Sequence, residues 1–111
     1  MRVDVGGRSV RVTNLDRVLW PATGGTKADL VRYYTAVAPV LLPHLAGHPA
    51  TLHRFPAGVD GPHFFQTRAP SHPDWVRAVT LRSPNDKVFD VVVIDALPGL
   101  VWAATVAAIE L

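Results

Sequence analysis

Valines at 3, 5, 10 and 12 alternate with polar residues on either side of Gly6-Gly7. A period of two interrupted by a glycine pair predicts a β-hairpin. Asn14 then opens a short turn or helical piece running to Trp20, and Pro21 to Gly25 reads as a loop. Thr26 is a suitable N-cap, with Asp29 three residues on as a short capping-box acid. The helix that follows carries Leu30, Tyr33, Tyr34 and Val37 at helical spacing, which predicts a core-facing side. Pro39 and Pro43 are expected to end or kink it, with Leu41, Leu42 and Leu45 packing as a further turn and Gly47 as the stop.

Beyond that helix the period returns to two. Ala50 to Phe55 predicts a strand closed by Pro56 and a turn from Gly58 to Gly61, and Phe64 to Thr67 a second, short one. Val76 to Leu81 alternates as a third strand, and Ser83-Pro84-Asn85-Asp86 marks a turn. Val88 to Ile94 is almost continuously apolar, the pattern of a strand covered on both faces. Ala96 to Leu111, rich in Ala and Leu with Trp102, predicts a closing helix. The elements describe an α+β fold, with a mostly antiparallel sheet and two main helices, in a single domain over residues 1–111.

Composition narrows the class. At 111 residues, 49% apolar and 18% charged, the chain can bury one core and is not disordered. It has no cysteine, so a disulfide scaffold, a thiolate metal site and a cysteine nucleophile are excluded. The amino terminus has no signal-like apolar run, and the apolar C-terminal stretch is short for a membrane span and broken by Pro98-Gly99. A cytoplasmic, nucleoid-associated protein without membrane contact is expected. The net charge of +2 says little about partners, because the location of the eleven Lys/Arg matters more.

Two clusters carry candidate chemistry. Lys27 follows the N-cap, where helix N–H groups and the dipole favour an anion, and Arg17 can close on it from the preceding turn. Asn14 and Thr26 would add neutral hydrogen bonds. On spacing alone the plainer reading stands first: a turn cap, a surface ion pair and a solvated lysine. The second cluster is Phe64-Phe65, bounded by Gly61-Pro62 and Pro70. Adjacent strand residues face opposite ways, so one ring is expected in the core and the other exposed beside Arg68 and His63 as a base-stacking platform. Two ordinary core rings are the plainer alternative.

Other chemistry finds little support. His44 and His48 are four apart, but Gly47 and Pro49 break the helix that would align them as metal ligands. His53 and Arg54 are expected to join a basic groove. The acids are scattered: Asp90 and Asp95 fall at opposite ends of one strand, and Asp86 and Asp90 straddle a turn. No DxD spacing for paired metals and no nucleophile elbow is present.

Taken together, several ordered blocks resemble the start of the polymerase domain of bacterial ATP-dependent DNA ligase D. They are Asn14 to Lys27, Tyr33-Tyr34, Ala38 to Gly47, Arg54 to Gly61, Phe64-Phe65 and Ile94 to Trp102. That family lies in the archaeo-eukaryotic primase superfamily and serves non-homologous end joining. The resemblance implies a recessed DNA 5′-phosphate held at Arg17 and Lys27, with Asn14 assisting, and template bases stacked on Phe64-Phe65. The family usually has Lys at the Arg17 position, and often Lys where this chain has His53 and Thr67. Arginine can hold phosphate bidentately, so Arg17 is expected to keep the role.

The resemblance also implies that the metal-binding Asp-x-Asp motif and the nucleotide-binding groups follow the segment matched by Ala107 to Leu111. The complete family domain would use Mn or Mg and nucleoside triphosphates. The sequence as it stands implies no catalytic residue, no metal site and no cofactor of its own, and inactivity as a polymerase. The leading expectation is a DNA-end-binding module, with His53, Arg54 and Arg68 as auxiliary contacts. Two alternatives stay open: half of a polymerase completed by a second chain, or an interaction protein, self-associating or bound to a partner, that has lost DNA binding.

Overall fold

The computed structural model describes residues 2–85 and 87–110. The hairpin forms as expected: β1 (Arg2–Val5) and β2 (Arg8–Arg11) pair antiparallel across Gly6-Gly7, both at positive φ. Their inward residue Val10, with Val12 just beyond, packs against Val101.

The segment expected as a turn or helical piece ends instead in a strand, β3 (Val18–Trp20), paired with a two-residue β4 (Gly25–Thr26). Leu19 is fully buried between its exposed and half-buried neighbours, which is strand alternation too short to stand out in the sequence. Val59 N–H donates to the Leu19 oxygen at 2.7 Å. Gly58 makes that approach possible. It sits at φ 96°, and a Cβ there would lie 3.0 Å from the same oxygen.

Helix α1 (Lys27–Leu45) is continuous through Pro39 and Pro43, so neither proline ends it. Both prolines are exposed, as are Thr35 and Pro39, whose carbonyls lose a helical partner and face solvent. Leu30, Tyr34 and Ala38 form the buried stripe. Tyr33, expected in that stripe, is 61% exposed.

Strand β5 (Leu52–Arg54) pairs with β6 (Phe64–Gln66), and β7 (Ala78–Arg82) with β8 (Val88–Val92). The intervening turn is closed by Ser83 N–H on the Lys87 oxygen; Asp86, which the sequence placed in that turn, lies outside the described residues, as do Met1 and Leu111. Burial on both faces holds only for Val91 to Ile94, since Val88 and Asp90 are exposed.

The largest difference is at the end. Helix α2 spans Leu97–Thr105 rather than running to the C-terminus, and Ala108–Glu110 forms β9 on the free side of β5. Ala107, at φ 59°, makes the corner, and its oxygen accepts the Phe55 N–H. Every strand pairing among the described residues is antiparallel, and the largest sheet has the order β6-β5-β9. Leu30, Tyr34 and Ala38 of α1 share the main core with Leu100, Ala103 and Ala104 of α2. The small side chains of α2 let the two helices approach closely.

Candidate nucleic-acid interface

The site begins with a turn. Asn14 has φ 55°, a left-handed conformation that asparagine adopts more readily than most residues, and its oxygen accepts the Arg17 N–H at 2.9 Å. The first turn of α1 grips this loop. Lys27 N–H donates to the Arg17 oxygen and Ala28 N–H to the Leu15 oxygen, each at 2.9 Å. Asp29 N–H donates to Thr26 Oγ1, while the Asp29 carboxylate accepts the Thr26 N–H at 2.8 Å. The helix N-terminal donors are therefore used within the protein. The expectation that they face an anion is corrected: they position the loop carrying Arg17.

What faces the neighbouring cavity is side chains. Lys27 is 6% exposed, and Nζ donates to the Thr105 oxygen at 3.0 Å. Arg17 Nη1 donates to the Pro56 oxygen at 3.2 Å, and Arg54 Nε to the Val106 oxygen at 2.8 Å. These residues and Asn14 line a cavity of about 180 Å³ with Ala107. Backbone carbonyls fix each cation without neutralising it, and among the described residues no carboxylate lines the cavity.

Electrostatics follow from that arrangement. Burial, then the charges of Arg17 and Arg54, hold the Lys27 ammonium below its ordinary pKa. Burial also lowers Arg54. Three fixed cations around one concavity concentrate positive charge there, an arrangement whose chemistry suits an anion. Lys27 is thus neither solvated nor ion-paired, and the surface ion pair of the plainer reading does not form at Arg17 among the described residues. Thr26 is not among the cavity's lining residues, its hydroxyl serving the cap.

The aromatic pair occupies the edge strand of the largest sheet. Phe64 is 44% exposed and Phe65 68%, so the expectation of one core ring is corrected. An edge strand with neither face covered leaves both rings outside. His53 stacks on Phe65 with ring centroids 4.0 Å apart, and its Nε2 lies 2.8 Å from His63 Nδ1. Arg68, expected beside the pair, instead lies over Phe89, 5.7 Å from its ring centre. Its place is taken by Arg54, whose guanidinium is 5.2 Å from the Phe64 ring and donates to Gln66 Oε1 at 2.9 Å. Arg54 therefore joins the cationic cavity to the aromatic strand. The sequence marked Arg54 as an auxiliary contact and missed its place in the cavity wall, along with Pro56, Thr105 and Val106, because carbonyl contacts so distant along the chain leave no local pattern.

Among the described residues, no group of three His, Asp or Glu side chains is placed to hold a metal ion, and no helix is long and apolar enough to cross a membrane.

A sequence profile of the LigD primase-polymerase domain matches residues 26–111. The chain belongs to this family. It is 47% identical over 103 residues to the multifunctional non-homologous end joining DNA repair protein LigD of Mycobacterium tuberculosis, covering 91% of this chain and 13% of that one. To the LigD of Mycolicibacterium smegmatis it is 41% identical over 104 residues, again 91% of this chain and 13% of the relative. Among solved structures it superposes on the polymerase domain of Mycobacterium tuberculosis ligase D in complex with DNA, with a TM-score of 0.84 and 46% identity, covering 89% of this chain and 34% of that one. The α+β fold, with two helices and antiparallel sheets, is thus that of part of the LigD polymerase domain. The chain spans about a third of the solved domain and about an eighth of the full-length mycobacterial relatives.

Proposed function

We propose that this chain is a DNA-end-binding part of an end-joining polymerase domain, holding a recessed 5′-phosphate and the template strand, without catalysis of its own. The observation that carries the reading is Lys27: an ammonium buried beside two arginines, with no carboxylate in the cavity wall among the described residues. A buried charge without a counter-ion is costly unless a ligand supplies one. The phosphate would sit among Lys27, Arg17 and Arg54, with the Asn14 amide at the rim. Unpaired template bases would stack on Phe64 and Phe65, next to His53. DNA as partner is supported by the solved relative, which was determined in complex with DNA.

Fluorescence anisotropy with a gapped duplex carrying a downstream 5′-phosphate or 5′-hydroxyl, at two salt concentrations, tests the reading. Tighter binding of the phosphorylated end, weakening with salt, is the expected outcome. Equal binding of both ends would leave only a general basic surface.

A further inference from the structure

A second cavity, of about 490 Å³, opens beside the β1–β2 hairpin; Arg2, Arg11, Ser71, His72, Trp102 and Thr105 are in its wall. Arg2 and Arg11 are direct partners in the hairpin register. Residues so opposed project from the same face, and like charges there repel. Neither arginine has an ion pair or hydrogen bond among the described residues. Asp4, the acid on the same face, is in register with Ser9 and pairs with neither arginine. Among the described residues, no carboxylate lines the cavity.

The inner wall offers a further donor. Trp102 is only 5% exposed, and its indole N–H has no acceptor among the described residues. No buried side-chain polar atom is left without a partner among those residues, so this N–H keeps contact with solvent. The His72 ring stands edge-on to Trp102, 6.1 Å between centroids.

Position links this cavity to the first. Thr105 lines both. Its main-chain oxygen holds Lys27 Nζ, and its hydroxyl donates to the Trp102 oxygen at 2.6 Å. One residue separates two cationic cavities.

We propose that the Arg2–Arg11 cavity is a second phosphate site, taking a backbone phosphate of the strand whose 5′ end lies at Lys27. The proposal rests on the end-binding reading above. Two guanidiniums on one face match the oxygens of a phosphodiester, and their repulsion is relieved when the anion sits between them. Such a contact positions the strand and adds no sequence preference.

The test uses the whole chain, the gapped duplex with 5′-phosphate or 5′-hydroxyl, and the double variants R2A/R11A and R2K/R11K. The substituted side chains are exposed, and thermal unfolding checks that the fold is kept. R2A/R11A is expected to bind the phosphorylated duplex about tenfold more weakly, with a salt slope shallower by about one, at an unchanged phosphate-to-hydroxyl ratio. R2K/R11K should keep the slope and lose part of the affinity. Competition by a 5′-mononucleotide, which carries no second phosphate, should be the same in parent and variant. Unchanged affinity and slope in R2A/R11A would overturn the proposal, and so would a collapse of the phosphate-to-hydroxyl ratio, which would place the arginines on the terminal phosphate itself. If the parent shows no phosphate preference, the Lys27 reading fails, while the slope difference still decides for or against the arginine pair.

Discussion

The ammonium of Lys27 donates to the main-chain oxygen of Thr105, 3.0 Å away and 78 residues further along the chain. This contact ties the first turn of α1 to the last of α2 and leaves the positive charge unneutralised. A methionine of similar length would remove the charge and its desolvation cost together, losing one hydrogen bond. Lys27→Met is therefore expected to change stability by no more than about 1 kcal/mol in urea unfolding. The same variant should lose the preference for a 5′-phosphate by about 10- to 100-fold, the value of a charge-assisted hydrogen bond. Severe unfolding with the preference intact would show that Lys27 is structural only.

The lowered pKa of Lys27 gives a pH dependence of determined sign. Between that lowered value and the ordinary 10.5, the unfolded chain keeps the proton that the folded chain releases. The contribution of this group to stability therefore rises with pH through that window. Phosphate binding does the reverse, since the anion favours the charged ammonium and draws a proton back. Affinity for a 5′-phosphorylated end should fall as pH rises toward the ordinary lysine value of 10.5, and Lys27→Met should flatten both trends. Affinity that held level over that range in the parent would contradict this coupling.

Phe64 and Phe65 share an exposed edge strand, so neither is needed for the core. Either one replaced by alanine should shift stability by no more than about 0.5 kcal/mol. Each should weaken binding to a template overhang by about 1–3 kcal/mol per stacked base, with little effect on a blunt phosphorylated duplex. Phe64→Ala also removes the ring beneath Arg54, so some loss of phosphate preference should accompany it but not Phe65→Ala. Anisotropy with blunt and overhanging duplexes separates these outcomes.

Legibility in the sequence followed the range of the signal. The Gly6-Gly7 hairpin, the Thr26/Asp29 cap and the strands at Leu52 and Phe64 are written in neighbouring residues, and all form. The pairing of β3 with β4 involves too few residues to show a period. The Ala- and Leu-rich C-terminal segment has the composition of a helix, and pairing with β5 overrides it after Thr105. Asn14, Arg17 and Lys27 were legible because a single turn and cap unite them, whereas Arg54 and Thr105 reach the same cavity only through tertiary packing. The opposed arginines of the hairpin depend on a register that the valine alternation did not spell out, and the cavity beside them needs His72 and Trp102, which are distant in sequence.

The C-terminal strand provides a last test, because one side chain fastens it. Tyr34 is buried on α1, and its hydroxyl lies 2.6 Å from the Ala108 oxygen and 3.0 Å from that of Ile109. The shorter contact is to a fully buried residue of β9, where water cannot replace the phenol. Tyr34→Phe keeps the ring in the core and removes only the donor. The loss should cost about 0.5–1.5 kcal/mol, the net contribution of one hydrogen bond. It should be local as well as global: hydrogen exchange at β9 and at the β5 amides facing it should accelerate more than in the β7–β8 hairpin. Because Ala107 and Val106 shape the cavity wall next to this strand, loosening it should also weaken phosphate binding, although Tyr34 is not among that cavity's lining residues. Faster exchange at β9 without weaker binding would show that the cavity wall is held by α2 and the Ala107 corner, independently of the strand.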